Sequence, residues 1–296
     1  MNNLKTLILL AVLSAILIGI GAIWGLSGII VGFIIALIMN VGAYWFSDRI
    51  ALTMAGAHEV SPTDAPDLHR MVEEVSAMAS LPKPKVYLIN NDQPNAFATG
   101  RDPKHAVVAV TTGIMRILDE RELQAVIGHE LGHIRNRDIL ISAVAAVIAS
   151  TISFVAWMAQ WTLFWGGMGR SRNGGGGWLY IIALLAMIIL APIAATIIRL
   201  TISRAREYGA DETGAHITHT PLSLARALEK LEASAKTKPM NVNPALAHMY
   251  IVNPLQALRR REGDSSWFVS LFSTHPPIAK RIERLNEIAR ETGMLS

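Results

Sequence analysis

Hydrophobic and polar positions fall along this chain in blocks. Leu7 to Trp24 is uncharged, and so is Leu26 to Phe46. Each run is long enough to cross a bilayer as a helix, and only a short Gly/Ser turn separates them, so together they read as a transmembrane hairpin. A signal peptide does not fit the first run, which is too long and is followed at once by a second span. Gly21 with Gly25, and Gly28 with Gly32, place small residues four apart, a spacing that permits close helix contact. Further along, Ile139–Trp165 and Trp178–Ile198 also lack charge. The loop between them, GGMGRSRNGGGG, lies near Trp157, Trp161, Trp165 and Trp178, as a loop at a membrane interface would. Helices with no polar face are poor candidates for a soluble core.

The pattern therefore predicts a mainly α integral membrane protein with four transmembrane helices. Residues 1–47 form the first hairpin and 139–198 the second; 48–138 and 199–296 are the soluble parts. The first soluble part opens with a predicted helix, Pro66 to Ala79. KVYLIN and AVVAVTTGIM follow as β-branched strands around NDQPNAFATG, and a helix runs from about Asp119 through His133. The second part is predicted helical over Ser203–Ala215, over Pro221–Ala235, and through IAKRIERLNEIAR after STHPP. Residues 236–271 are mixed.

Composition sharpens this picture. The chain is 51% hydrophobic with mean hydropathy +0.35, which favours the bilayer. The absence of cysteine excludes disulfides and cysteine-based zinc sites. Its net charge of +4 is too small, and too scattered, for a nucleic-acid surface, and no base-reading motif is present. Near the span ends the basic residues are Lys5, Arg49, Arg135, Arg137, Arg199, Arg204 and Arg206 on one side, against Arg170 and Arg172 on the other. This bias places both soluble parts in the cytosol of a multi-pass cell-membrane protein.

The chemistry is concentrated in His129-Glu130-Leu131-Gly132-His133, an HExxH motif on a predicted helix. Residues four apart share a helix face, so both imidazoles can reach one zinc ion, with Glu130 beside it as the base. A catalytic zinc takes three protein ligands and keeps an open position. The residues after His133 are Ile134, Arg135 and Asn136, so the metzincin continuation with a third nearby histidine is excluded. If the second apolar hairpin raises a helix at each end, a ligand on the far helix should match the histidines in height. His133 lies roughly 9 Å and His129 roughly 15 Å above Ile139, and Glu207 lies roughly 13 Å above Ile198. Asp211, one turn on and on the same face, could hold a histidine's second nitrogen. The alternative for Glu207 is a surface pair with Arg204 or Arg206. Glu212 faces away, and His105, His216 and His219 read as surface or turn histidines.

VIGHELGHIRNRD, SRAREYGADETGA, AHMYIVNPL and FSTHPPIAKRIERL, together spanning nearly the whole chain, resemble the HtpX-type membrane metalloproteases, relatives of the CAAX prenyl proteases. The resemblance implies a zincin-like (gluzincin) α+β protease domain with one Zn2+ bound by His129, His133 and Glu207. It makes Glu130 the general base, in a metalloendopeptidase acting on polypeptides, membrane proteins among them, in protein quality control. It brings His275 near the metal as an oxyanion donor, although Ser273 or Thr274 could instead cap the last helix with Pro276 and Pro277 in its first turn. His248 is a weaker candidate to line the cleft. NAFATG resembles the family segment that borders the cleft, so Asn95, Ala96 and Phe97 could bind substrate as an added strand or form a simple hairpin loop. A specific processing peptidase for a lipidated or pheromone-like peptide is the alternative function. A zinc-binding chaperone or a transporter is a third reading, and uncharged spans argue against transport.

The four-span topology is tested by cysteine labelling, since no native cysteine interferes. Cysteines at Ser171 and Ser265 should react from opposite sides of the membrane, only the first with an impermeant reagent applied outside the cell. Labelling of both from one side would remove a span.

Overall fold

In a computed structural model of this chain, residues 2–21, 25–139, 144, 204–237, 250–251 and 276–294 are described. The first two helices, α1 (Asn2–Gly21) and α2 (Gly25–Ala55), pack against each other as a hairpin. The amide of Asn40 donates to Ser14 Oγ across the pair at 2.7 Å. A Cβ at Gly32 would lie 2.6 Å from the carbonyl oxygen of Leu17, so the backbones touch where the sequence places a small residue. Among the described residues, Gly25–Phe46 is long and apolar enough to cross a membrane, with mean hydropathy 2.3, and Leu10–Gly19 is a shorter apolar helix. The third and fourth expected spans lie outside the described residues except for Ile139 and Val144.

The expected boundary after residue 47 falls inside a continuous helix. α2 runs past Phe46 through Asp48 and Arg49 to Ala55. Near its end Ala51 and Leu52 are buried, packing with Ile89, Phe97, Val107 and Ala109 on one face of a four-stranded sheet. An unbroken helix resists bending, so the apolar hairpin and the sheet are mechanically joined.

The strands are β1 (Ala57–Glu59), β2 (Lys85–Ile89), β3 (Ala96–Thr99) and β4 (Val107–Thr111), in spatial order β1-β2-β4-β3. β2 and β4 are parallel, and β1 and β3 are antiparallel edge strands. The predicted strand AVVAVTTGIM overran. Thr111 Oγ1 accepts the N–H of Ile114 and caps α4 (Thr112–Ile117), so a local side-chain cap overrides the β-branched composition. β1 was not predicted, and β3 corresponds to the edge-strand alternative for Asn95–Phe97 rather than the hairpin loop; both are too short for alternation to show.

The other sheet face is covered by α3 (Pro66–Met78) and α5 (Glu120–Arg135), with Leu68, Val72, Val108, Val110, Val126 and Leu131 in one core. α5 starts where its sequence dictates. Asp119 accepts the N–H of Glu122, and the Glu122 side chain accepts the N–H of Asp119, both at 2.9 Å. Among the described residues the remaining α-helices are α6 (Arg204–Thr218), α7 (Pro221–Thr237) and α8 (Ile278–Thr292). They match the predicted helices but run further toward the C-terminus. Pro277 is the N-cap of α8 with no side-chain cap, so Pro276 and Pro277 precede the first turn rather than forming it.

α5 and α6 cross at close range. A Cβ on Gly214 of α6 would stand 2.7 Å from the backbone nitrogen of His129, and one on Gly128 of α5 would stand 2.5 Å from Thr218 Cγ2. Gly214→Ala should therefore force the helices apart, destabilising the protein by about 1–3 kcal/mol and lowering metal affinity with it. Thermal melting with and without metal checks this. An unchanged melting point and unchanged metal binding would contradict the close crossing.

Candidate metal centre

α5 presents His129 and His133 on the face turned to α6, with ring centroids 4.8 Å apart. α6 presents Glu207 to both: its carboxylate oxygens lie 3.9 Å from His129 Nε2 and 3.7 Å from His133 Nε2. One donor atom from each of the three residues falls within 4.8 Å of the others. Two ligands each roughly 2.0–2.2 Å from a tetrahedral zinc stand roughly 3.3–3.6 Å apart, so the two imidazole–carboxylate contacts would close by a few tenths of an ångström and the widest donor pair by up to roughly 1.5 Å. Glu212 and His216 are exposed on α6, His219 is exposed just beyond its end, and His105 sits exposed beside Asp102.

The surrounding charges also fit a cation. Glu130, Asp138, Glu207 and Asp211 are buried, against the buried guanidinium of Arg281 and the half-buried Arg206. With both histidines neutral, two negative charges remain, which one divalent ion would offset. Buried carboxylates left uncompensated are expensive.

Each imidazole is held from behind. Asp211 Oδ1 lies 2.9 Å from His129 Nδ1, somewhat off the line of a good hydrogen bond, and Asp138 Oδ2 lies 3.3 Å from His133 Nδ1. These contacts leave the Nε2 atoms directed at the centre. Asp211 is itself gripped by Arg281, whose Nε and Nη2 donate to its two oxygens at 2.8 and 2.7 Å. Arg281 also donates to the carbonyl of Ile251 and stands 3.6 Å from Glu207. Burial works to raise the Asp211 carboxyl, but the Arg281 guanidinium outweighs it and holds the group well below the usual carboxylate range. Burial pushes the Glu130 carboxyl up, only partly countered by the two histidines. For His133, burial works downward, yet the Asp138 hydrogen bond and the nearby carboxylates prevail and lift it to about 9.

Glu130 Oε2 accepts the N–H of Ala98 in β3 at 2.8 Å. Thr111 N–H donates to the carbonyl of Asn95, so Asn95, Phe97 and Thr99 turn their backbone groups toward β4. By strand alternation Ala96 and Ala98 turn theirs to the open edge, on the side of Glu130. The side chains of Asn95, Ala96 and Phe97 are buried. Asn95 Oδ1 accepts the N–H of Ile251, and Phe97 packs in the cluster that includes Leu52 and Tyr250. His275 and His248 lie outside the described residues.

Sequence reasoning missed Arg281 and Asp138. Arg281 had a signal: it follows Ile278 by three and precedes Leu285 by four, so it interrupts the apolar stripe of α8. Asp138 lies beyond the helix end, where periodicity carries no information.

Residues 62–289 match the family described as Peptidase family M48. The chain is 52% identical over 274 residues to a Protease HtpX homolog of Aquifex aeolicus, covering 92% of this chain and 88% of that protein. It is 51% identical over 293 residues to a Protease HtpX homolog of Pyrococcus furiosus, covering 98% and 97%. The crystal structure of S. mikatae Ste24p is similar over 86% of this chain and 57% of that one, at a TM-score of 0.44 and 17% identity.

A metal ligand must be neutral imidazole, and His133 without metal holds its proton up to about pH 9. Metal uptake below that pH must displace the proton. Zinc affinity, measured by competition with a chelator, should fall about tenfold per pH unit from pH 8 to pH 6. Affinity constant across that range would contradict the site.

Proposed function

This chain belongs to Peptidase family M48, and from that premise we propose that it is a membrane-anchored, zinc-dependent endopeptidase whose site faces the cytosol. The observation that carries the reading is the meeting of His129, His133 and Glu207 donors within 4.8 Å, beside a glutamate bonded to a sheet edge. Two imidazoles and a carboxylate form a donor set suited to zinc, and the absence of cysteine leaves no thiolate competitor. Zinc in this set supplies Lewis acidity, lowering the pKa of water toward neutrality and polarising a carbonyl.

The chain's own groups supply the rest. Glu130 takes a proton from the attacking water and returns it to the leaving amine as the peptide bond breaks. Its raised pKa suits both steps. Asp211 and Asp138 keep the two rings oriented, and Arg281 keeps Asp211 ionised. His275 remains the candidate donor to the developing oxyanion. The substrate lies extended along β3, pairing with the outward backbone of Ala96. Asn95 and Phe97 act from behind the strand, the first tying it to residue 251 and the second to the end of α2. Backbone pairing gives affinity with loose side-chain selectivity. Such selectivity, on a scaffold rising from the bilayer, suits disposal of misfolded or damaged membrane proteins. Both soluble parts being cytosolic follows from the charge bias at the span ends.

Cleavage of an unfolded model protein tests the reading. Glu130→Gln should retain zinc and lose about 10²–10⁴-fold in turnover. Glu207→Ala should lose both zinc and turnover. Full activity in the presence of a chelator that strips the metal, or substantial turnover by Glu130→Gln in a preparation free of wild type, would overturn it.

A further inference from the structure

On the sheet face opposite the metal centre, a cavity of about 890 Å³ opens where α2 leaves its apolar stretch. One wall is the end of that stretch, with Trp45 and Phe46 half exposed at 52% and 49%. Arg49 continues that wall on α2 and the other carries Lys83, Lys85, Arg101 and Lys104; the carboxylates among the lining residues are Asp48 and Glu59. Three of these cations have a carboxylate partner: Lys85 pairs with Glu59 at 3.1 Å, Lys83 with Glu73 at 2.7 Å, and Arg101 with Asp102. Asp102 takes His105 Nδ1 at 2.8 Å and lies 3.6 Å from Arg101. Arg49 and Lys104, together with Arg101, whose partner Asp102 is shared with His105, therefore leave positive charge facing the cavity. Arg101 stands 4.9 Å over the ring of Trp45, and Arg49 stands 5.9 Å from that of Phe46. Guanidinium groups stacked on aromatics at a span end combine apolar and cationic contact at headgroup depth.

We propose that this cavity binds the phosphate-bearing headgroup of an anionic phospholipid, with Arg49, Arg101 and Lys104 around the phosphate and Trp45 and Phe46 against the glycerol and upper acyl chains. The proposal rests on reading Gly25–Phe46 as a membrane span. The membrane supplies the ligand at the depth where the cavity opens, and basic clusters beside a span attract anionic lipid. The cavity shares Leu52 and Val107 with the cluster that buries Phe97 of β3, so a seated lipid would fix the sheet against the membrane surface.

The test uses the full chain in detergent with fluorescent phosphatidylglycerol and phosphatidylcholine as probes. Wild type should prefer phosphatidylglycerol by at least about tenfold, since each basic residue near a membrane surface contributes roughly fivefold. The triple change Arg49→Gln, Arg101→Gln, Lys104→Gln should bring that preference to about unity while zinc content and melting point hold. If the triple variant misfolds, Lys104→Gln alone, at an exposed position, should lose roughly fivefold. Lys280→Gln, on exposed α8 surface, should change nothing. Equal affinity of wild type for both lipids, or a preference untouched in the folded variants, overturns the proposal. Displacement of the lipid by millimolar inorganic phosphate would assign the cavity to a free anion and overturn the lipid reading. A chain that stays in solution without detergent would sink the span reading and this proposal together, whereas a lost preference in a detergent-dependent chain sinks the proposal alone.

Discussion

The close crossing of α5 and α6 is the constraint on which the rest of the site depends. Glutamate is short compared with the usual helix–helix separation of 8–10 Å, so a carboxylate on one helix can share an ion with two imidazoles on the other only where the backbones nearly touch. Glycines at 128 and 214 permit that contact, with α6 lying against the backbone of His129. Everything nearer the candidate metal site is refinement of this approach: Glu207 about two turns before Gly214, Asp211 behind His129, and Arg281 closing the cluster from α8. A buried Asp–Arg pair is a weak source of net stability. Here its value is positional, because removing either partner would leave the other charge buried and the His129 ring unsupported.

The second organising feature is the unbroken α2. It carries the apolar stretch, continues through the charged residues at its end, and buries Ala51 and Leu52 on the sheet. The sheet then offers β3 to the site, through the Ala98 N–H bonded to Glu130. A continuous mechanical path thus joins the apolar hairpin to the groups that would receive a peptide.

Much of this was legible in the sequence, for reasons that differ between elements. The hairpin was visible because two long uncharged runs allow few other readings. α5 was visible as a helical run from about Asp119 that carries the HExxH spacing, and Glu207 from its position relative to an expected span. β3, in NDQPNAFATG, could be read either as an edge strand or as a hairpin loop, because four residues, all buried, show no alternation. The end of β4 was misread because β-branched residues continue past Thr111, where a hydroxyl cap has already begun a helix. Arg281 and Asp138 were hidden because their roles depend on long-range or post-helical geometry. The apolar stripe of α8 shows only that an arginine is out of place, and its partner lies 70 residues away.

Anomalous scattering at the zinc edge, from crystals of the zinc-loaded chain, tests the central claim most directly. The account predicts one strong peak, roughly 2.0–2.2 Å from His129 Nε2, His133 Nε2 and the Glu207 carboxylate. A peak that omits Glu207, or one bound by Glu212 or by residues of another helix, would show that the α5–α6 crossing does not build the metal site.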